Sequence, residues 1–260
     1  MHRRHTPTTH TQEKVEPRLS ASLKVVISND DGIDAPGIDT LVTLLEGLAE
    51  CFVVAPDGPR SGIGHALSAD DPIPVRAAGD RRHAVGGTPA DCARLALGPG
   101  SELIREWAEA RRAGEVWLLS GINHGANLGV DTYVSGTAAA AREAAILGFP
   151  ALAISQYVAR HRGVDWERAG LRARRVIEQL IARPPARGAF WNVNLPHPLD
   201  EAHDCEIVHC AADPSPHPVR FERRGEHFVY TGNYHARPRL PDHDVDVCFG
   251  GRIAVSEIGL

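Results

Sequence analysis

The stretch VVISNDDGIDAPG, residues 25–37, joins an apolar run directly to polar residues and a glycine. A short apolar run that ends at a turn signal is typical of a buried strand in a parallel sheet. Here the run ends at Asn29, Asp30 and Asp31, and Gly32 begins the turn that follows. In an open parallel sheet, ligands bind outside the carboxyl ends of the strands. The two adjacent carboxylates therefore indicate a binding site at that edge.

The rest of the chain alternates between strand-like and helix-like patterns. The predicted strands cover residues 23–28, 51–55, 116–120, 151–155 and 190–194. The predicted helices lie within residues 37–50, 87–97, 135–150 and 164–185, with Pro and Gly near their ends. This alternation predicts an α/β fold with a mostly parallel sheet flanked by helices.

Changes in composition predict three segments. Residues 1–22 are polar and lack the apolar stretch of a secretory signal, so we expect a disordered tail. Residues 23–183 carry the α/β pattern and form the predicted core. Residues 184–260 are richer in Pro, His and Gly and contain the strand-like pieces HFVYTG and RIAVSEI. They predict a hairpin-rich subdomain that completes the same domain.

The composition argues against several classes of partner. A net charge of -5 disfavours binding to a nucleic acid duplex through a broad basic face. No apolar run approaches the roughly 18 residues that a membrane span needs. The five cysteines include no CxxC pattern, and no export signal precedes the core. Reduced thiols without an export signal predict a cytoplasmic protein.

Three more polar segments should reach the same edge as the acidic pair. The loop APDGPRSGIGHALS follows the second predicted strand, and GINHGANLG follows the third. The segment VSGT opens the Ala-rich helix. Their candidate site residues are Ser61, His65, Asn123, Asn127, Ser135, Gly136 and Thr137. The convergence of four such segments is less probable by chance than any one of them.

The residue types indicate metal and phosphate chemistry. Two adjacent carboxylates need a counter-charge, and one divalent cation with a preference for oxygen, Mg²⁺, Mn²⁺ or Ca²⁺, supplies it. The Ser61 hydroxyl and the Asn123 amide oxygen can complete its shell. The helix start at Ser135–Thr137 is a natural phosphate site. A metal beside a phosphate suggests phosphoryl transfer to water, with Asp30 orienting that water.

Single features also allow simpler interpretations. Asp30 and Asp31 alone fit a turn followed by a helix N-cap about equally well, and Ser135 alone is more readily a helix cap. The dinucleotide fingerprint GxGxxG does not follow the first strand, and the GK[ST] of a Walker loop does not occur. The joint placement of the four segments favours the metal site.

Five motifs, taken in order, resemble the SurE family. They are ISNDDGIDAPGI, VVAPDGPRSGIGHALS, GTPADCARLAL, SGINHGANLG and SGTAAAAREAAILGFPALAIS. The resemblance implies a Rossmann-like core and a metal-dependent 5′/3′-nucleotidase that acts on nucleoside monophosphates. It implies a metal held by Asp30, Asp31, Ser61 and Asn123, with Asn127 and residues 135–137 near the substrate phosphate. Asn29 and His65 are further candidates for substrate contact, His65 as a proton donor.

The predicted enzyme hydrolyses nucleoside 5′-monophosphates, and 3′-monophosphates are a second substrate class. Asp30 and Asp31 are its predicted catalytic residues. The resemblance also implies an extended hairpin that builds a homodimer or homotetramer. Two alternatives stay open: a broad-specificity acid phosphatase on the same site, and a non-catalytic nucleotide or metal sensor.

Overall fold

The structure is a computed structural model that describes residues 23–159, 162–197 and 205–260. The predicted tail, residues 1–22, lies outside the described residues. In chain order the elements are β1 (Lys24–Ser28), α1 (Pro36–Leu45), β2 (Glu50–Pro56), β3 (Val75–Gly79), β4 (Arg82–Val85), α2 (Pro89–Leu97), α3 (Ala108–Ala113), β5 (Val116–His124), α4 (Gly136–Ile146), β6 (Ala151–Gln156), α5 (Trp166–Ile181), β7 (Ala189–Leu195), β8 (Ile207–His209), β9 (Phe221–Arg224), β10 (His227–Tyr230), α6 (Asp244–Phe249) and β11 (Ile253–Gly259). None of the helices in these residues has the length and apolar character that a membrane span requires.

Nine strands form one sheet in the order β3-β4-β2-β1-β5-β6-β7-β11-β8. All neighbours from β4 to β7 are parallel, and only the pairs β3–β4 and β7–β11 are antiparallel within this sheet. The predicted mostly parallel α/β fold is confirmed. From β1 the chain proceeds to β2 on one side, and β5 lies on the other side. The carboxyl ends of β1 and β5 therefore flank a topological switch point, where such sheets bind ligands.

Helices cover both faces of the sheet. Helices α1 and α5 pack over one face, against a cluster that includes Val25 and Ile27 of β1. Helices α2 and α4 pack over the other face, where Val26 of β1 points. Because successive side chains of β1 enter opposite cores, the strand is apolar throughout, as its sequence indicated.

The last 77 residues of the chain, 184–260, divide between the sheet and a separate hairpin. Strand β7 and the RIAVSEI piece, which forms β11, lie in the main sheet. The HFVYTG piece supplies β10, which pairs with β9 in a two-stranded hairpin of its own. The hairpin side chains Phe221, Phe228 and Tyr230 are more than half exposed. The domain division at residue 184 and a role of this segment in oligomerisation stay predictions.

Candidate active site

Asp30 lies at the switch point, between the end of β1 and the first turn of α4. Its side chain is almost fully buried, and the Thr137 hydroxyl donates a hydrogen bond of 2.5 Å to Asp30 Oδ1. A Cβ placed on Gly136 would approach Asp30 Cβ to 2.7 Å, so only glycine permits this contact without a shift. Burial, together with the nearby Asp31 carboxylate, raises the pKa of Asp30 to about 6, against the lowering effect of the hydrogen bond from Thr137.

Asp31 is hydrogen-bonded to the end of β5. Its Oδ2 accepts a hydrogen bond of 2.9 Å from the backbone N–H of His124. The neighbouring Asn123 uses its amide nitrogen to donate to the carbonyl of Gly125 at 2.8 Å. Its amide oxygen is therefore the atom that Asn123 has to offer a metal. The contact between Asp31 and His124 brings the acidic pair and Asn123 to the same place, as the sequence predicted.

The loop that carries Ser61 is held at both ends by parts of the same site. The N–H of Arg60 donates to the backbone carbonyl of Asp30 at 2.7 Å. The N–H of Gly64 donates to the carbonyl of Val134, directly before Ser135, at 3.0 Å. Ser61 lies between these two anchors and is exposed. The loop thus runs along the rim from Asp30 to the start of α4.

Helix α4 presents its N-terminus to the site. Ser135 is the N-cap, and its hydroxyl accepts a hydrogen bond from the N–H of Ala138 at 3.0 Å. The positive end of the helix dipole therefore stands beside Asp30. Ser135 is therefore the helix cap that the simpler interpretation predicted. The Thr137 hydroxyl donates its hydrogen bond to Asp30. Contact of Ser135, Gly136 and Thr137 with a phosphate stays a prediction.

The remaining predicted substrate residues make contacts within the protein. The Asn29 side chain closes a turn with Gly32, through hydrogen bonds of 2.8 and 3.2 Å. The Asn127 amide donates to Ser155 Oγ at 2.8 Å, and its backbone is bonded by the side chain of Asn194. Both residues hold the loops of the rim in place. A direct role of either in substrate binding is not tested by these contacts.

His65 faces a buried carboxylate on the far side of its loop. Its Nε2 lies 2.7 Å from Glu143 Oε2, and Glu143 also accepts a hydrogen bond of 2.5 Å from Arg94. Glu143 is almost completely buried in α4. No pattern in the sequence indicated this partner, because Glu143 lies in an Ala-rich helix 78 residues along the chain from His65. The predicted proton-donor role of His65 stays a prediction.

A cleft of about 470 Å³ opens beside Asp31. Its walls include carboxylates of the loops after β1 and β2 and two aromatic rings. These lining side chains are Asp31, Asp34, Asp57, His124 and Trp166. Asp31 is the one among them that the sequence patterns singled out as a site residue. Trp166 reaches the cleft through the packing of α5 against α1.

The model of the family described as Survival protein SurE matches residues 25–214 of the chain. The chain belongs to the SurE family. A protein from Nostoc sp. is 42% identical over 236 residues, which cover 91% of this chain and 99% of that relative. The protein named 5′-nucleotidase SurE from Paramagnetospirillum magneticum is 37% identical over 243 residues, which cover 92% of this chain and 90% of the relative. The crystal structure of the SurE protein from Aquifex aeolicus superposes with a TM-score of 0.74 at 25% identity, covering 91% of this chain and 93% of that one.

The donor atoms of this SurE chain fit a hard divalent cation. Among the described residues, no ion pair joins Asp30 or Asp31 to a Lys, Arg or His side chain. The same residues contain no group of three His, Cys, Asp or Glu that could hold a metal. The candidate site therefore consists of two carboxylates and neutral oxygens, a set that suits Mg²⁺, Mn²⁺ or Ca²⁺ better than zinc. Among the described residues, the almost fully buried Asp30 and the half-buried Asp31 beside it have no protein cation, and this is the observation that favours such an ion.

Proposed function

We propose that this SurE chain is a 5′-nucleotidase that uses one divalent cation, hydrolysing nucleoside 5′-monophosphates to nucleoside and phosphate. The observation that carries the proposal is the uncompensated Asp30–Asp31 pair at the switch point, beside the N-terminus of α4. The activity named for the relative from P. magneticum supports the substrate class. Nucleoside 3′-monophosphates are a second proposed substrate class.

Asp30, Asp31, Ser61 and Asn123 are the proposed ligands of the cation. A bound divalent cation would supply charge neutralisation for the phosphoryl group and a lowered pKa for the attacking water. The first turn of α4, from Ser135 to Thr137, stabilises the negative charge of the phosphate through its N–H groups.

The chain's own residues handle the proton in the proposed reaction. Asp30 orients the attacking water and accepts its proton, and the Thr137 hydroxyl fixes Asp30 Oδ1 for this task. The water oxygen forms a bond to phosphorus while the bond from phosphorus to the ester oxygen breaks. The ester oxygen leaves as the nucleoside hydroxyl after it takes up a proton from solvent water, and Asp30 returns its proton to the solvent.

The test is phosphate release from 5′-AMP, 3′-AMP and p-nitrophenyl phosphate by protein treated with EDTA and then supplied with Mn²⁺, Mg²⁺ or Ca²⁺. Turnover that a cation restores and that Asp31→Asn abolishes is the expected result. The matched control is Asp80→Asn, an exposed residue of the turn between β3 and β4, which should keep full activity.

Other outcomes separate the alternatives. Equal kcat/KM for p-nitrophenyl phosphate and for nucleotides would indicate a broad-specificity phosphatase. Nucleotide binding without phosphate release at any cation would indicate a sensor. Turnover that survives both EDTA and Asp31→Asn would contradict the proposed site.

We also propose that the protein forms a homodimer or homotetramer through the β9–β10 hairpin. Phe221, Phe228 and Tyr230 expose 56%, 68% and 52% of their surfaces there, and apolar exposure of this size is typical of an interface. Light scattering of the native protein and of Phe228→Asp checks this, since the variant should lower the mass. The five cysteines are free, which supports the proposed cytoplasmic location.

A further inference from the structure

The nucleoside half of a substrate needs a place next to the proposed phosphate site. Toward α4 the site is closed, because Gly136 packs directly on Asp30 and Pro89. Toward β6 and β7 it is closed by the buried side chain of Asn127. Beside Asp31 the cleft of about 470 Å³ remains open, and this volume is in the usual range for small-molecule sites.

Trp166 forms an aromatic wall of this cleft together with His124. Their ring centroids are 6.4 Å apart, with an angle of 46° between the planes. Gly37 of α1 fixes the indole from behind, since a Cβ at Gly37 would lie 3.0 Å from Trp166 Cζ3. Trp166 is half-buried, whereas the other three tryptophans are at most 6% exposed. Trp166 lines this cleft and also a neighbouring cleft of about 610 Å³ between α1 and α5, so its remaining ring surface is shared between the two.

The cleft is also lined by acidic side chains. Asp34 lies before the start of α1, and Asp57 follows β2. Arg60 donates a hydrogen bond of 2.9 Å to Asp57 Oδ1. Carboxylates accept hydrogen bonds only, so they favour a ligand that offers hydroxyl or amino donors. An aromatic face stacks on any nucleobase. A ribose with free hydroxyls and a base with an exocyclic amino group match both walls.

We infer that this cleft binds the nucleoside half of the substrate and that Trp166 stacks on the base. The inference rests on the proposed function for the position of the phosphate, and it deepens that function by assigning the specificity-determining side chain. The preferred class is nucleotides with an amino-bearing base. Tyr133, an aromatic residue just before the N-cap of α4, is the other candidate for stacking on the base; it is 76% exposed and does not line this cleft.

Kinetics with substrates that carry or lack a nucleobase test the assignment of Trp166 as the stacking residue. AMP and ribose 5-phosphate share the phosphate and the sugar, and only AMP can stack on Trp166. Trp166→Ala is expected to lower the ratio of kcat/KM for AMP to kcat/KM for ribose 5-phosphate about tenfold. Trp166→Phe, which keeps an aromatic face, should restore most of the ratio. A purely structural role would lower both activities together and leave the ratio unchanged.

The control variants are Leu171→Ala and Tyr133→Ala. Leu171 is 56% exposed on the same helix, outside the cleft, and its replacement should leave the ratio unchanged. An unchanged ratio in Trp166→Ala with a lowered ratio in Tyr133→Ala would overturn the inference and move the base to Tyr133.

A binding measurement on cation-free protein separates this inference from the proposed function. Adenosine has no phosphate, so its binding needs no metal and no hydrolysis. Titration with adenosine should quench the tryptophan fluorescence of the wild type, and Trp166→Phe should remove that change. Quenching without any phosphatase activity would support the cleft while the proposed function fails. Hydrolysis of AMP with no quenching and an unchanged ratio would overturn the cleft assignment alone.

Discussion

Asp30 and Asp131 are buried to nearly the same extent, with 5% and 6% of their surfaces exposed, but their surroundings differ. Asp131 lies in the 3₁₀ turn before α4 and accepts hydrogen bonds from Arg237 at 2.6 Å and from the Tyr234 hydroxyl at 2.8 Å. His217 contacts its other oxygen. Asp30 is bonded by the Thr137 hydroxyl and has a second carboxylate as its neighbour.

The comparison distinguishes a structural carboxylate from a proposed ligand carboxylate. Asp131 has a cation supplied by the chain, and the network ties the segment around residues 217–237 to the start of the candidate site. Burial, and then the Asp131 carboxylate, raise the pKa of Tyr234, so its hydroxyl stays a donor. In the described part of the chain, Asp30 has no such cation. A buried charge of this kind is costly unless something else compensates it, and a divalent ion would do so.

The largest effect is expected at Arg237. Its side chain is only 2% exposed, so Arg237→Ala leaves Asp131 as a buried carboxylate without its cation. Breaking a buried pair in this way typically costs about 3–5 kcal/mol of unfolding free energy. Urea denaturation measures the loss. Arg239→Ala, which removes a half-exposed arginine 3.5 Å from Asp246, should cost less than about 1 kcal/mol. Equal losses in the two variants would contradict the structural role of Asp131.

Replacement by Asn should change the free energy of unfolding in opposite directions at Asp30 and Asp131. Because the pKa of Asp30 rises from 3.8 to about 6 on folding, the folded state favours the protonated form. The resulting penalty is absent below pH 3.8, grows as the pH rises, and is complete above about pH 6. Asp30→Asn removes it, so the EDTA-treated variant should be more stable than the wild type at pH 8 by up to about 3 kcal/mol.

Thermal unfolding of Asp30→Asn and Asp131→Asn side by side provides the measurement. Asp131→Asn should destabilise the protein by about 3 kcal/mol, because Arg237 then lacks its carboxylate. Mn²⁺ should raise the Tm of the wild type and of Asp131→Asn but not that of Asp30→Asn. A lower Tm for Asp30→Asn in EDTA at pH 8 would show that the chain already compensates this charge.

Sequence patterns predicted the parts of this molecule that depend on local periodicity. The apolar run before Asn29 and the stripe of α1 became β1 and α1 because each buries its own apolar side chains. The edge strand β3 was not predicted, since all five of its residues are exposed and leave no apolar signal. The sequence predicted that the acidic pair and Asn123 lie close together, and Asp31 contacts His124, next to Asn123, because the carboxyl ends of β1 and β5 meet at the switch point.

Contacts between segments that are distant in the chain left no pattern in the sequence from which they could be predicted. Asp131 and Arg237 are separated by 106 residues, and their pairing depends on how an irregular segment returns to the sheet. Trp166 reaches the cleft because Gly37, on another helix, leaves room for the indole. The contact between His65 and Glu143 likewise depends on the packing of a loop on α4. These interactions are decided by tertiary packing, which periodicity does not encode.

A smaller effect is expected from Gly136→Ala, which pushes directly on the proposed ligand carboxylate, Asp30. The new methyl group would lie 2.7 Å from Asp30 Cβ and 3.1 Å from Pro89 Cγ, so Asp30 has to move. Overpacking of this kind costs about 1–3 kcal/mol, and a shift of the order of 1 Å at a reacting group lowers kcat about 100-fold. Gly259→Ala, with no atom within 4 Å of the new group, is the control for both measurements. A normal kcat in Gly136→Ala would place Asp30 outside the reaction.

The smallest effect is expected from Asp165, an exposed carboxylate that caps α5. Its Oδ1 accepts a hydrogen bond of 3.0 Å from the N–H of Arg168, and its side chain is 53% exposed. Asp165→Ala should cost about 1 kcal/mol, and Asp165→Ser, which keeps a capping oxygen, should recover most of it. Water already solvates this carboxylate, so Mn²⁺ should stabilise Asp165→Ala as much as it stabilises the wild type in thermal unfolding. If Asp165→Ala lost the stabilisation by Mn²⁺, as Asp30→Asn is expected to, burial without a protein cation would no longer distinguish the proposed ligand carboxylates of this chain from the others.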